Sequence, residues 1–213
     1  MKNILFIASE AVPFIKTGGL ADVVGSLPKC FDKQYFDVRV MIPKYLCIKE
    51  SFRNEMKYVN HFYMDYLGQN RYVGILEYEY EGVTFYFIDN ESYFWGDRPY
   101  GDWYYDLEKF SFFCKAALSS LPVIGFKPDV IHCHDWQTGL IPVHLKDKIP
   151  RRRVLPGYQV RHDDPQPEVP GDDLVSVNCG LKTFWIFHLY RVRISEVKYK
   201  FLALLSSSVT NTV

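Results

Sequence analysis

The chain has 213 residues, enough for one sizeable domain or a domain with an appendage. Its formal net charge is zero, so no basic excess points to nucleic acid or to an acidic membrane surface. Hydrophobic residues make up 48%, enough to bury a substantial core, yet no apolar run is long enough to span a bilayer.

Aromatic residues reach 17%, a supply of rings for stacking on ligands or for filling the core. Five cysteines (Cys30, Cys47, Cys114, Cys133, Cys179) form no C-x-x-C pair and read as the reduced thiols of a cytoplasmic protein. Met1-Lys2-Asn3 leads straight into an apolar run, so no signal peptide is expected.

In chain order, Asn3–Ser9 reads as a buried strand from its continuous apolar run. Leu20–Phe31 carries Leu20, Val23, Val24, Leu27 and Phe31 at helical spacing, with Pro28 ending the helix early. Phe36–Ile42 is a second strand. Tyr58–Tyr66, Arg71–Glu79 and Val83–Ile88 read as a meander with turns at Gly68-Gln69-Asn70 and Glu81-Gly82. Glu91–Asp102 is an aromatic loop, Tyr104–Leu121 a helix, Asp129–His132 a buried strand and Asp135–Lys146 the helix after it. Strands alternating with helices predict an α/β, Rossmann-like sheet over residues 1–148. From about Ile149 the pattern breaks down into an irregular C-terminal tail, with Arg151-Arg152-Arg153, then Pro156, Pro165, Pro167 and Pro170, then an apolar but unperiodic Leu181–Leu205.

Three constellations carry chemistry. The first is Lys16-Thr17-Gly18-Gly19, between the first strand and the first helix. Glycines let a backbone approach a ligand, helix-start N–H groups favour anions, and Lys16 adds a full charge suited to a diphosphate. An ordinary strand-to-helix turn with a surface lysine has the same composition, and neither the P-loop nor the G-x-G-x-x-G pattern is present. The second is His132-Cys133-His134-Asp135-Trp136, at the carboxyl end of a strand, where parallel sheets bind ligands. A zinc site here lacks further ligands at known spacing. Core packing of His132 and Cys133 with Asp135 as a helix cap is the plain alternative, whereas a carboxylate and a ring at a crevice mouth suit sugar recognition. The third is Trp95–Trp103, whose rings and carboxylates fit either a sugar-contacting loop or a packed surface loop.

Together these segments resemble the N-terminal half of bacterial glycogen synthases and plant starch synthases. The shared pattern is K-T-G-G-L-A-D-V-x-G-x-L-P at Lys16–Pro28, P-Y-x-D at Pro99–Asp102, and H-x-H-D-W-x-x-G-L at His132–Leu140. The resemblance implies a GT-B glycosyltransferase, two Rossmann-like domains facing across a cleft. It implies transfer of glucose from ADP-glucose to the non-reducing end of an α-1,4-glucan with retention of configuration. Lys16 would contact the donor, Gly18 and Gly19 would present backbone N–H groups to it, and Asp22 would line the cleft. Tyr100, Asp135 and Trp136 would shape the glucose and acceptor region, with Asp135 the catalytic candidate. The family uses no metal and no cofactor beyond the donor, and no nucleic-acid or membrane partner is implied.

The resemblance covers residues 1–148, an incomplete N-terminal catalytic domain. Residues 149–213 depart from it in a particular way. Back-translated and read one base later, Asp163–Gly171 spells T-I-H-N-L-K-F-Q-G, the motif that follows the H-D-W helix in the family, and Ile149–Arg153 becomes F-Q-G-G-E. The tail is therefore expected to be an out-of-frame, poorly ordered translation, which makes Arg151–Arg153 no nucleic-acid patch and Leu181–Leu205 no membrane anchor. Without the family's next strand, the last strand of the sheet is expected to have an unpaired edge. Half a cleft is expected to give no turnover by itself. A non-catalytic glucan-binding remnant, or a GT-B transferase with another sugar-nucleotide donor, are the other readings.

Overall fold

The computed structural model describes residues 1–148 and 175–178. The basic run, the proline-rich segment and Leu181–Leu205 lie outside the described residues. A seven-stranded sheet forms the centre, built from β1 (Lys2–Ile7), β2 (Phe36–Pro43), β3 (Lys57–Tyr66), β4 (Gln69–Tyr80), β5 (Val83–Asp89), β6 (Val130–His134) and β7 (Val175–Asn178). Their spatial order is β3-β4-β5-β2-β1-β6-β7. β1, β2, β5, β6 and β7 run parallel, and β3-β4-β5 is an antiparallel meander on one side. The α/β, Rossmann-like expectation holds.

The helices are α1 (Gly19–Ser26), α2 (Glu50–Glu55), α3 (Glu91–Phe94), α4 (Trp103–Ser120) and α5 (Ile141–Lys148). α1 stops at Ser26 and a 3-10 turn, Leu27–Cys30, takes over with Pro28 near its start, because proline has no N–H to continue an α-helical ladder. Val23 points out, 46% exposed, so the buried stripe of α1 is narrower than its apolar sequence suggests. α2 was not legible because it buries no residue and so has no apolar period.

Both hairpin turns are tight two-residue turns with positive φ. Leu67-Gly68 takes the first and Glu81-Gly82 the second. The first therefore sits one residue earlier than Gly68-Gln69-Asn70, and Gln69 already pairs with Tyr66.

Most of the aromatic content is core. Phe14 lies within 5–6 Å, centroid to centroid, of Phe52, Tyr78, Tyr80, Phe85 and Phe87, mostly edge-on. On the other side, α4 presses Phe110, Phe112 and Phe113 inward, and Phe112 stacks on Tyr93 at 4.4 Å. The other alternative for the aromatics, ring stacking on a ligand, is open to the exposed rings, among them Trp95, Trp103, Tyr104 and Tyr105.

The edge of β6 is not left open. β7 pairs with it in parallel register, Ile131 opposite Val175 and His134 opposite Asn178, so the expected unpaired edge is corrected. A parallel strand there satisfies β6's outward backbone groups and moves the sheet edge out to the short β7. Among the described residues no helix is long and apolar enough to cross a membrane.

Candidate functional site

The strand order reverses direction at β1. The chain steps from β1 to β2 on one side and reaches β6 on the other, so the crevice between the carboxyl ends of β1 and β6 is the topological switch point where such sheets bind ligands. The Lys16–Gly19 and His132–Trp136 segments leave the sheet at these two adjacent strand ends.

On the β1 side, Ser9 and Glu10 are fully or nearly buried immediately after the strand. The Glu10 carboxylate accepts from the Thr17 N–H at 2.6 Å and from the Thr17 hydroxyl at 2.8 Å. It thereby folds the loop back so that Lys16, Thr17, Gly18 and Gly19 are presented at the surface. Lys16 Nζ forms an ion pair with Asp22 at 2.7 Å, both half-exposed, which holds the ammonium beside the start of α1. That helix start has no side-chain cap. Its free N–H groups are an anion-binding end.

The two glycines leave room and do not serve the turn. Gly18 has ordinary extended φ, −151°, and a Cβ there would meet only Glu10 Oε1 at a relaxed 3.8 Å. At Gly19 a Cβ would meet nothing within 4 Å. Gly25 is the opposite case, since a Cβ would fall 2.3 Å from Val12 Cγ2 and 2.5 Å from the Val12 carbonyl oxygen. Packing therefore demands Gly25, whereas open space above the α1 N-terminus is what Gly18 and Gly19 provide.

On the β6 side, the His132 and His134 rings stack at 4.1 Å and both lie against Phe6. Burial lowers their pKa values to about 4 and about 3, with His132 adding to the effect on His134, so both are neutral rings at pH 7. Both rings pack within the sheet; the plain alternative names His132 and Cys133 as core residues, and His134 is buried with them. Among the described residues no group of three or more His, Cys, Asp or Glu is arranged to hold a metal ion. The described cysteines are free, and burial pushes the Cys114 thiol up to about 12, leaving it inert.

Asp135 is the distinctive residue. Its backbone sits at φ 62°, ψ −178°, a region that side-chain-bearing residues avoid at a cost of about 1–3 kcal/mol. Its carboxylate accepts from the Trp136 N–H at 2.7 Å. It caps a 3-10 turn, Trp136–Thr138, and not an α-helix; α5 begins only at Ile141, which corrects the expected Asp135–Lys146 helix. Thr138 stabilises that turn by donating its hydroxyl to the His134 carbonyl. The Trp136 ring is half-buried between Trp103 at 5.2 Å and Phe110 at 5.4 Å, so it serves packing on one face.

Tyr100 joins the two sides. Its hydroxyl lies 2.7 Å from the Ser9 hydroxyl. Burial pushes its pKa well above the ordinary tyrosine value; the Ser9 hydrogen bond acts against this, and the nearby carboxylates of Glu10 and Asp135 add to it. A buried ion pair on α4 fixes its backbone. Lys109 Nζ donates to the Pro99 carbonyl and to Asp106 Oδ1, each at 2.5 Å, and Asp106 Oδ2 accepts from the Gly101 N–H at 2.9 Å. Asp102 caps α4 by accepting from the N–H groups of Tyr104 and Tyr105.

Lys16, Gly18, Gly19 and Asp22 thus sit together on one side of the crevice, and Asp135 and Trp136 on the other, with Tyr100 reaching Ser9 between them. Ser9, Glu10, Asp106 and Lys109 were missed in the sequence. The first two follow the apolar run of β1 directly, and a polar pair at a strand's carboxyl end is a signal that could have found them. Asp106 and Lys109 are spaced i, i+3 on a helix, which looks like an ordinary surface pair.

Residues 3–161 match the family model for the starch synthase catalytic domain. The chain is 64% identical over 159 residues to a glycogen synthase of Lachnospira eligens, covering 75% of this chain and 33% of that protein. It is 52% identical over 149 residues to a glycogen synthase of Anoxybacillus flavithermus, covering 70% of this chain and 31% of that protein. Among solved structures it is similar to the catalytic domain of starch synthase IV from Arabidopsis thaliana bound to ADP and acarbose, with a TM-score of 0.58 and 33% identity over 68% of this chain and 30% of that one. The chain spans about a third of the length of the relatives it matches. A Rossmann-like sheet carrying the K-T-G-G and H-D-W segments at its switch point, with this breadth of likeness, belongs to the starch synthase catalytic domain family of glycosyltransferases.

Proposed function

We propose that the described residues form the N-terminal wall of a cleft that transfers glucose from ADP-glucose to the non-reducing end of an α-1,4-glucan with retention. The observation that carries this reading is the meeting of three distant segments at the β1/β6 switch point: an uncapped helix start with Lys16 beside it, a strained Asp135, and Tyr100 bonded across to Ser9. The α1 N-terminus and Lys16 meet the donor diphosphate, and the bare Gly18-Gly19 backbone lets it approach. Asp22 pre-positions Lys16; an exposed pair of this kind is worth only about 0–1 kcal/mol, so the lysine exchanges it readily for phosphate. Asp135 and Tyr100 address the glucosyl ring, with Trp136 behind them. The diphosphate's charge is met by basic side chains, and neither metal nor cofactor is called for. The ADP and acarbose of the Arabidopsis neighbour support a nucleotide and an oligosaccharide as ligands of this architecture.

Turnover, in this reading, needs more than this wall. Electrostatic stabilisation of the departing diphosphate needs donors on both sides of a cleft, and the described residues supply one. We also read residues 149–213 as an out-of-frame tail, from the T-I-H-N-L-K-F-Q-G hidden in Asp163–Gly171. The nucleotide sequence across codons 145–175 tests it: an in-frame gene ending in the same tail in several isolates removes that reading.

Calorimetric titration of the full chain with ADP-glucose tests the wall itself. Saturable binding that Lys16→Gln weakens is expected; binding that ignores Lys16 overturns the assignment. Incorporation of labelled glucose into glycogen by the described residues alone, residues 1–148, would overturn the need for a second wall.

A further inference from the structure

We propose that the outer edge of β3 pairs with the same strand of a second copy of this chain. The two strands run antiparallel about a two-fold axis at Tyr63, so that two meanders join into one continuous sheet. β3 is the outermost strand on the side of the sheet away from β7. Its ten residues make a long edge, and a long open edge is a template for another strand.

The hairpin decides which backbone groups face outward. The two-residue turn Leu67-Gly68 makes Tyr66 and Gln69 a hydrogen-bonded pair, and the ladder alternates from there. Tyr66, Met64 and Phe62 therefore bond to β4, while Asp65, Tyr63 and His61 turn their N–H and carbonyl groups away from it. Two side-chain contacts agree with this. The Asp65 carbonyl accepts from Lys115 Nζ, and the His61 N–H donates to Asn60 Oδ1 at 2.8 Å.

An axis at Tyr63 matches every pair. Tyr63 exchanges both backbone bonds with its own copy, and His61 exchanges both with Asp65. The two groups that take side-chain partners in the single chain, the His61 N–H and the Asp65 carbonyl, become partners of each other. Asn60 and Lys115 give up exposed contacts, and a ladder bond replaces each. On the solvent face an imidazole, His61, lies opposite a carboxylate, Asp65. On the core face Phe62 lies opposite Met64. Moving the axis to Phe62 sets the Asn60 amide against buried Met64, and moving it to Met64 runs His61 into the Leu67 turn.

The surface beside this axis is aromatic and open. Tyr58 and Tyr63 are each 59% exposed and Leu67 73%. His61 stacks on Tyr72 at 5.6 Å, and Tyr63 meets the same ring edge-on at 5.8 Å. Leu67 holds φ 53° in a turn that asparagine or glycine ordinarily fills, and so presents a bulky apolar side chain to solvent. An exposed apolar patch rimmed by polar groups marks a protein interface. One whose pairs match themselves across a two-fold axis takes a second copy.

Sedimentation equilibrium of the full chain from about 5 to about 500 μM tests the pairing, with Tyr63→Lys, Tyr63→Cys and Tyr58→Cys beside the wild type. A ladder over residues 61–65 is short, so the wild type is expected to be mostly monomer at the low end and mostly dimer at the high end. Tyr63→Lys sets two ammonium groups against each other at the axis. It is expected to weaken the dimer at least about tenfold and to leave the thermal midpoint of the dilute chain unchanged. Under copper phenanthroline, Tyr63→Cys is expected to form a disulfide-linked dimer, because a hydrogen-bonded pair holds its Cα atoms about 5.5 Å apart. Position 58 is equally exposed but lies about 30 Å from its copy in this register. Tyr58→Cys is therefore expected to cross-link no faster than the wild type with its own cysteines. A chain that stays monomeric to about 500 μM overturns the pairing, as does a dimer indifferent to Tyr63→Lys. Equal cross-linking at positions 58 and 63, in a dimer or in a larger assembly, overturns it too.

Discussion

The Tyr100 hydroxyl meets the Ser9 hydroxyl at 2.7 Å across 91 residues of sequence, tying the aromatic loop before α4 to the carboxyl end of β1. With Lys109 on the Pro99 carbonyl and Asp106 on the Gly101 N–H, the residue is fixed at its tip and on both sides of its own backbone. A residue held at its hydroxyl and through both neighbouring backbone groups is preorganised before any ligand arrives.

Ser9→Ala and Tyr100→Phe are each expected to cost about 0.5–1.5 kcal/mol of stability, with a coupling of about 1 kcal/mol in a double-mutant cycle. Urea unfolding of the four proteins measures it. Strict additivity would show that the two hydroxyls are satisfied independently.

Lys109→Met is expected to be much more damaging than its surface-like sequence spacing suggests. Removing one partner of a buried pair leaves Asp106 charged and alone, at a cost of about 3–5 kcal/mol. The double variant Asp106→Asn/Lys109→Met removes both charges and is expected to recover part of that loss, because asparagine still accepts from the Gly101 N–H. Thermal midpoints decide it; a double variant no better than Lys109→Met would mean that the lysine's bond to Pro99 carries the stability.

The glycines of the first motif separate packing from ligand access. Gly25→Ala drives a methyl into Val12 and is expected to destabilise by about 1–3 kcal/mol. Gly19→Ala meets open space, reduces the freedom of the unfolded chain, and is expected to stabilise by about 0.4–1 kcal/mol. It also places a methyl over the helix N–H groups, so ADP-glucose affinity is expected to fall while stability rises. A variant that gains stability and keeps its affinity would remove Gly19 from the donor site.

The strands were legible because buried parallel strands are continuous apolar runs, and β1, β2 and β6 have that form with ends within one or two residues of expectation. The two motifs were legible as loops at strand ends, but composition alone did not separate a ligand-binding turn from an ordinary one. What bears on that choice is three-dimensional: no Cβ clash at Gly18 or Gly19, a positive φ at Asp135, and adjacency of β1 and β6. None of these has a local sequence signature. Nor does the role of Lys109, whose burial depends on a loop folding over it, or the covering of β6 by Val175–Asn178, which is a long-range pairing.

The stacked histidines give the fold an acid sensitivity. Their folded pKa values, about 4 and about 3, lie below the ordinary 6.5, so the unfolded chain binds more protons in between. Stability is therefore full above about pH 6.5 and falls as the pH drops toward 4, by an amount on the order of a few kcal/mol for the pair at pH 5. His134→Phe keeps the stacking against Phe6 and removes one of the two protons. Its urea midpoint is expected to fall less between pH 7.5 and pH 5 than that of the wild type. Equal slopes would place the acid sensitivity in the carboxylates.

Asp135 combines a backbone cost with two side-chain tasks, and its variants are expected to separate them. Asp135→Asn keeps an acceptor for the Trp136 N–H and nearly the same side-chain shape on the same backbone, so stability is expected to change by less than about 1 kcal/mol. Asp135→Ala loses the cap while keeping a Cβ at φ 62°, and is expected to lose about 1–2 kcal/mol. Asp135→Gly also loses the cap but is relieved of the strain, so it falls between the two. Ligand affinity follows a different order. If the carboxylate's charge addresses the glucosyl ring, all three variants lose affinity for ADP-glucose, including the asparagine variant whose fold is intact. Retained affinity in Asp135→Asn, measured beside an unchanged thermal midpoint, would leave Asp135 as a structural cap and move the search for the reacting carboxylate to Glu10.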